Sequence, residues 1–286
     1  MSCRLLQATP DQVRRVVRAA LREDLGRGDL TTLLTVDPVT RAQGQFLAKA
    51  DGVMAGGYVA AECLRQTDSS VTAQQLVEEG REFAAGEVLA RVEGSARGLL
   101  TGERVALNFL QRLCGVATLT AQFVQAVAGT GAKIVDTRKT TPGLRALEKA
   151  AVVAGGGGNH RFALYDGILI KDNHIRLAGG LSEAVQRAQT GAPALLRIEV
   201  ETATLAQVEE ALAAGADLIM LDNMDLATMR QAVGMIGDRA LVEASGGINL
   251  DNVRAVAETG VDLISIGRLT HSAPAVDISL ELETLA

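Results

Sequence analysis

Residues 195–268 read LLRIEVETATLAQVEEALAAGADLIMLDNMDLATMRQAVGMIGDRALVEASGGINLDNVRAVAETGVDLISIGR. Four short apolar runs stand out: Leu195–Val200, Leu218–Leu221, Leu241–Ala244 and Leu263–Ile266. They are short and largely apolar, as strands buried on both faces are. Ala-rich segments separate them, Thr204–Ala214, Asp225–Ile236 and Asn249–Thr259, and Gly215, Gly237 and Gly260 follow where a helix stop is expected. This is a βα alternation. Two more units precede it, with strands Lys133–Asp136 and Ile168–Lys171 and helices Gly143–Ala154 and Ser182–Ala188. Six such units with right-handed crossovers describe most of a (β/α) barrel. A complete eight-stranded barrel takes ~250 residues, far more than follow Gly131. The expected fold is therefore α/β with an incomplete barrel, and an open doubly wound sheet is the alternative.

Upstream the pattern differs. Thr9, Pro10 and Gln12 form a capping box ahead of Val13, Val16, Val17, Ala20 and Leu21, which predicts a helix over 9–25 ended by Gly26. EDLGRGDLTT (Glu23–Thr32) reads as a polar, Gly-punctuated turn. QGQFLAKADGVMAGG, SVTAQQLVEEG and EVLARVEGS are short, partly alternating runs, expected to form an antiparallel or mixed sheet with a short helix near Ala60–Arg65. With helix 9–25 they make a small α+β domain. From Leu99 a helical period resumes. Gly115 is expected to interrupt it and Thr118 to cap a second helix to Ala128, placing the domain junction here.

Composition narrows the function classes. The net charge of −6 argues against nucleic-acid and anionic-membrane partners, and no apolar run approaches the ~20 residues of a membrane span. The start, MSCRLLQATPDQ, lacks a signal-peptide core. Cys3, Cys63 and Cys114 are odd in number and lack C-x-x-C spacing, as reduced thiols of a cytoplasmic protein do.

Against that acidic background, Asp136–Arg176 carries seven cations and four acids, a local excess of +3. Such a cluster suits an anionic small molecule. Polar residues recur at the carboxyl ends of the candidate strands: Asp136, Arg138 and Lys139, then Lys171 and Asp172, Glu199 and Glu201, Asp222 and Asn223, Glu243 and Ser245, and Gly267. In α/β barrels those ends build the active site. Ser245-Gly246-Gly247 and Ile266-Gly267-Arg268, after the last two strands, suit phosphate, the first by leading into a helix near Asn249. Gly155–Gly158 precede Asn159, His160 and Arg161 as a loop, a hinge or a close approach to ligand. His160 and His174 fit no zinc spacing. A divalent ion held by Glu201 and Asp222 through substrate oxygens is the better candidate. Lys171, ending the run GILIK, could also be a Schiff-base lysine.

These residues carry a resemblance. DTRKTTPGLR, GGGGNHR, LYDGILIKDNHI, IEVE, MLDN, SGGI and SIGRLTHSAPAVDIS, with EDLGRGDLTT and GERVALNFLQRLCGVAT upstream, resemble quinolinate phosphoribosyltransferase in order and over nearly the whole chain. The resemblance implies an N-terminal α/β sandwich (1–115), an incomplete barrel (116–270) and a C-terminal segment (271–286) that returns to the first domain. It implies joining of quinolinate to 5-phosphoribosyl-1-pyrophosphate with magnesium, giving nicotinate mononucleotide, pyrophosphate and carbon dioxide. It also implies a dimer or larger homo-oligomer with a shared site.

By position, Arg104, Thr137, Arg138, Lys139, His160, Arg161 and Lys171 would bind quinolinate, with Arg104 supplied across the subunit interface. Glu201 and Asp222 would bind ribose hydroxyls and magnesium. Ser245, Gly246, Gly247, Gly267, Arg268 and Leu269 would take phosphate. Lys139, Lys171, Glu201 and Asp222 are the expected catalytic residues. Lys139, Lys171 and His160 remain the alternatives for the proton donor. Arg268 and Gly158 depart from the family pattern, the latter expected to loosen its loop. A paralogous transferase of the kind found with molybdenum-transport genes, a non-catalytic anion-binding module and a Schiff-base lyase are the competing readings. The complete Asn159-His160-Arg161 and Lys171-Asp172-Asn173-His174 blocks speak against the first.

Overall fold

A computed structural model of the chain describes residues 8–285. Cys3 and the start of the N-terminal segment read above lie outside the described residues. The elements begin with α1 (Pro10–Leu25), α2 (Leu30–Thr35), β1 (Arg41–Ala48), β2 (Gly52–Val53) and α3 (Gly57–Thr67). Next come β3 (Thr72–Gln75), β4 (Glu82–Phe83), β5 (Val88–Ser95) and α4 (Ala96–Ala126). The alternating half starts with β6 (Lys133–Val135), α5 (Arg145–Ala154), β7 (Ile168–Ile170), α6 (Asp172–Ala178) and α7 (Leu181–Gly191). It continues with β8 (Ile198–Thr202), α8 (Leu205–Ala213), β9 (Leu218–Asp222), α9 (Leu226–Ile236) and β10 (Leu241–Ser245). It ends with α10 (Val253–Ala257), β11 (Leu263–Ser265), α11 (Arg268–His271) and β12 (Ile278–Thr284).

Two compact units divide the described chain: 8–121 with 140–156 and 269–285, and 122–139 with 157–268. In the first, Thr9 caps α1 with the expected reciprocal bonds to Gln12, and Val13, Val17 and Leu21 form its buried stripe. α1 packs against α3, and α3 against β3. The stretch read as a turn through Thr32 in fact holds the start of α2, because the Asp29 carboxylate caps it by accepting from Thr32 N at 3.0 Å. The sheet is antiparallel in the order β12-β1-β5-β3. The last strand pairs along β1 from Ala48↔Ile278 to Ala42↔Thr284 and forms an edge of this sheet.

Gly115 does not interrupt α4, which runs unbroken from Ala96 to Ala126. A Cβ at this position would stand 2.0 Å from the Pro274 carbonyl oxygen. The glycine is thus a contact point for passing backbone, a use that tolerates its weak helix propensity.

The second unit is a six-stranded parallel sheet in the order β6-β11-β10-β9-β8-β7. This is sequence order around a barrel, opened between β6 and β7. The open side of β6 is taken by Gly158, whose N–H donates to Ile134 O at 2.8 Å and whose carbonyl accepts from Asp136 N at 3.1 Å. Gly158 therefore pairs with a strand, where a loosened loop was expected. β8 starts at Ile198, later than the expected Leu195, because Leu196 N bonds back to Pro193 O in a turn that leaves Leu195 exposed. α10 likewise begins at Val253 after a turn, and not near Asn249.

A buried ionic knot holds the first unit together. The Glu148 carboxylate is inaccessible to solvent and accepts from Arg112 Nη2 at 2.8 Å, Thr141 N at 2.9 Å and Thr141 Oγ1 at 2.7 Å. Arg112 also donates to the carbonyls of Thr270 and Ala273. Removing one partner of such a pair leaves a buried charge uncompensated. Arg112→Ala should therefore lower stability by about 3 kcal/mol. Denaturant unfolding followed by circular dichroism measures it, and a loss below 1 kcal/mol would show the knot to be peripheral.

Candidate active site

Successive side chains of a strand point to opposite sides, so residues two apart share a face. In the second unit this places Leu169 and Lys171, Glu201, Met220 and Asp222, Glu243 and Ser245, and Ser265 on the wall of one cleft of about 540 Å³. Thr137, Arg138, Lys139, His160, Arg161, Asn223, Gly246 and Gly247 complete the wall. Eleven of the expected site residues are thus brought together. Among the described residues, Arg104, Gly267, Arg268 and Leu269 are not on this wall. Arg104 is exposed on α4, Arg268 is exposed at the start of α11, and the Leu269 side chain is wholly buried.

Asp136, noted in the sequence only as a strand-end acid, is what places the Asn159-His160-Arg161 run. Its carboxylate is fully buried and accepts from His160 N at 3.0 Å and Asn159 Nδ2 at 2.5 Å. Together with the Gly158 pairing, this fixes the segment beside β6. Arg161 is tied further by donating from Nη1 to Gly167 O at 3.0 Å. Burial first, and then the nearby Arg138 guanidinium, hold the Arg161 proton affinity below its ordinary value, with Glu199 and Asp166 opposing. Two guanidiniums crowded at a cleft wall favour an anion between them.

His160 stands over two acids. Its Nε2 is 2.9 Å from Glu199 Oε2 and 3.3 Å from Glu243 Oε2. Burial works against a charged ring here, but the two carboxylates outweigh it and push the His160 pKa up to about 10. His160 is therefore an imidazolium at neutral pH. The ligand atoms of His160, Glu199 and Glu243 lie within 4.8 Å of one another, a grouping that the sequence, lacking any zinc spacing, did not display. His174 is elsewhere employed, its Nδ1 accepting from Lys171 N at 2.9 Å at the start of α6.

The cleft wall also carries acids and glycines. Glu201 Oε2 accepts from Lys171 Nζ at 2.6 Å. Asp222 Oδ2 accepts from Asn223 Nδ2 at 3.0 Å, and Asn223 N donates to Ser245 O at 2.9 Å. Asn223 has φ 54°, a left-handed backbone for a residue that is not glycine. It lies so close to Gly246 that a Cβ there would be 2.3 Å from Asn223 Oδ1. Gly246 and Gly247 both have positive φ, 90° and 64°, a left-handed backbone that glycine adopts without steric cost. The phosphate reading of Ser245–Gly247 loses the helix expected at Asn249, which starts later, and keeps the place of these three residues on the cleft wall. Asn223 and Glu243 were noted in the sequence only as strand-end polar residues, and Ser265, Met220 and Leu169 carried no signal of that kind. Their period-two spacing from Asp222, Ser245 and Lys171 was the available signal for several of them.

The contact between Gly246 and Asn223 can be tested by stability. Gly86 has the same φ, 90°, with nothing within 4 Å of an added Cβ. Gly246→Ala should therefore be more destabilising than Gly86→Ala by about 1 kcal/mol, the difference being the steric displacement of Asn223. Equal melting shifts for the two variants would contradict the tight seat.

Comparison with known proteins agrees with this layout. The family model described as quinolinate phosphoribosyl transferase, C-terminal domain, matches residues 116–281, and its N-terminal counterpart matches 29–114. A Bacillus subtilis (strain 168) protein named probable nicotinate-nucleotide pyrophosphorylase (carboxylating) is 44% identical over 271 residues, covering 95% of this chain and 93% of its own. The crystal structure of NadC from Streptococcus pyogenes superposes with a TM-score of 0.94 at 43% identity, over 98% of this chain and 99% of that one. The nicotinate-nucleotide pyrophosphorylase from Francisella tularensis gives a TM-score of 0.93 at 36% identity, over 97% and 99%. With both family domains matched in order along a fold whose cleft gathers their cations, acids and glycines, this chain belongs to the quinolinate phosphoribosyl transferase family.

Proposed function

We propose that the chain is a carboxylating nicotinate-nucleotide diphosphorylase, a pentosyltransferase of NAD biosynthesis. It transfers the phosphoribosyl group of 5-phosphoribosyl-1-pyrophosphate to quinolinate, with loss of carbon dioxide and pyrophosphate, to give nicotinate mononucleotide. The observation that carries this reading is one cleft lined both by cations, Arg138, Lys139, His160, Arg161 and Lys171, and by acids and glycines, Glu201, Asp222 and Ser245–Gly247. A pyridine dicarboxylate suits the first and a phosphorylated sugar the second.

The residues then have distinct tasks. Arg138 and Arg161 present planar donors to the two substrate carboxylates, and Lys139, Lys171 and Thr137 complete that shell. Departure of pyrophosphate leaves oxocarbenium character on the ribose, which the Glu201 and Asp222 carboxylates stabilise while the pyridine nitrogen attacks. Loss of carbon dioxide leaves the electron pair of the broken C–C bond on the ring carbon beside the now positive nitrogen, whose charge stabilises it until that carbon takes a proton from Lys139, Lys171 or His160, so positioning, charge neutralisation and that proton are what the protein supplies. Asp222 and Glu201, carboxylates at the ends of adjacent strands in the cleft, fit the oxygen-donor preference of magnesium. When bound, the ion would neutralise the leaving pyrophosphate.

The phosphate is assigned to Ser245, Gly246 and Gly247, with Gly267, Arg268 and Leu269 as the second phosphate loop. The exposure of Arg104 on α4 suits a residue offered to a second copy, and we assign a homodimer or larger homo-oligomer with a shared site. No helix among the described residues is long and apolar enough to cross a membrane. A cytoplasmic location is the reading most in keeping with the reduced-thiol pattern, and neither nucleic acid nor membrane is assigned as a partner. A Schiff-base role for Lys171 is disfavoured, because its side chain is 45% exposed and ion-paired, without the burial such a lysine needs.

Incubation with quinolinate, 5-phosphoribosyl-1-pyrophosphate and magnesium should yield nicotinate mononucleotide and carbon dioxide in equal amounts. Turnover of nicotinate in place of quinolinate would sink the substrate assignment. Arg138→Ala should raise the KM for quinolinate by about a hundredfold, as loss of a charge-assisted pair predicts, while the KM for the phosphoribosyl donor stays within about threefold. Equal losses for both substrates would contradict the role assigned to Arg138.

A further inference from the structure

One group in the cleft wall runs against the purpose of the site. Glu243, in the middle of β10, is completely buried, lines the cleft, and neither of its carboxylate oxygens accepts a hydrogen bond among the described residues. A buried, unneutralised carboxylate in a pocket for a dianion would repel the ligand and be unfavourable in its own right. Glu199 adds a second buried carboxylate beside it, with Oε1 also lacking a hydrogen-bond partner among the described residues. What the two acids share is the His160 Nε2 atom, at 3.3 and 2.9 Å.

We propose that Glu243 is a positioning residue: with Glu199 it clamps the His160 ring by Nε2 and keeps it a cation at the cleft wall, where the ring reads one carboxylate of the pyridine substrate. The assignment of that substrate rests on the reaction proposed above. The pairing of His160 with the two acids does not.

The surroundings explain why two acids are used. Arg138, Lys139, Arg161 and Lys171 line the same cleft, and burial also disfavours a charged imidazole. Left to these influences the ring would be neutral near pH 7. Asp136 engages the His160 backbone N–H, so it orients the segment and is not the ring's counter-ion. Glu199 also supports the charge of Arg161, whereas the ion pair of Glu243 is with His160. The sign of the linkage follows from the pKa of about 10. It lies above the roughly 6.5 of an unfolded chain. The His160 contribution to stability is thus fully present below roughly pH 6.5 and is lost as pH rises through the folded-state value.

The test uses the full chain with ¹⁵N-labelled histidine, whose three residues, His160, His174 and His271, are assigned with His160→Asn. In the wild-type protein His160 should remain doubly protonated beyond pH 8.5. In Glu243→Gln it should lose its proton at a proton concentration at least tenfold higher than in wild type. In parallel, the wild-type KM for quinolinate should stay flat between pH 6.5 and 8.5, whereas in Glu243→Gln it should rise about tenfold over that range with little change in the KM for the phosphoribosyl donor. A wild-type His160 that titrates near 6.5, a titration unmoved by Glu243→Gln, or stoichiometric zinc displacing the proton would each overturn the proposal. If Glu243→Gln does not fold, the wild-type titration and Glu243→Asp decide. Should the protein make no nicotinate mononucleotide, the titration still judges the His160 clamp, so the two failures are distinguishable.

Discussion

Alternation along parallel strands is the constraint from which the site follows. Each strand of the second unit has to bury apolar side chains on one face against helices, and its other face is turned toward the interior of the barrel. A residue two positions from an interior residue is then also interior. Glu199 and Glu201 are such a pair on β8, Met220 and Asp222 on β9, and Glu243 and Ser245 on β10. The outer member of each pair reaches the cleft mouth, where charge can be solvated or meet a ligand. The inner member is buried, so an acid there has to be neutralised by protein. Glu201 and Asp222 are the first kind, and Glu199 and Glu243 the second.

The cations are supplied differently. Arg138 and Lys139 follow the end of β6 directly, but His160 and Arg161 come from a segment with no strand of its own. Backbone pairing of Gly158 to β6 and the buried Asp136 carboxylate substitute for one. The barrel's opening between β6 and β7 is thus occupied by the segment that carries two of the cleft's cations, His160 and Arg161. An additional regular strand there would take the place of that segment.

The first unit is organised by close contact and buried charge. Gly115 lets the Pro274 backbone lie on an unbroken helix, Arg112 joins Glu148 to two carbonyls of the C-terminal segment, and β12 completes the sheet along β1. None of these contacts is local in sequence. Each of them makes residues after Leu269 part of a unit that begins more than two hundred and fifty positions earlier.

By itself the sequence determined the strand count of the second unit, the α1 cap and the residue types of the cleft, because periodicity, capping chemistry and strand-end polarity are local properties of the chain. It also carried the family, since the motif blocks lie in order along it. Gly115 was misread because a glycine in a helical run signals a break unless the passing backbone is known. The helix expected at Asn249 was displaced by a turn that composition does not distinguish from a helical start. Tertiary structure alone decided that Asp136 faces the Asn159–His160 backbone, that Glu199 and Glu243 converge on one imidazole, and that Asn223 adopts a left-handed conformation over Gly246. The charge state of His160 belongs to that second class. It is set by two acids 39 and 83 positions away in the chain, and their influence exists only once β8 and β10 bring them within 3.3 Å.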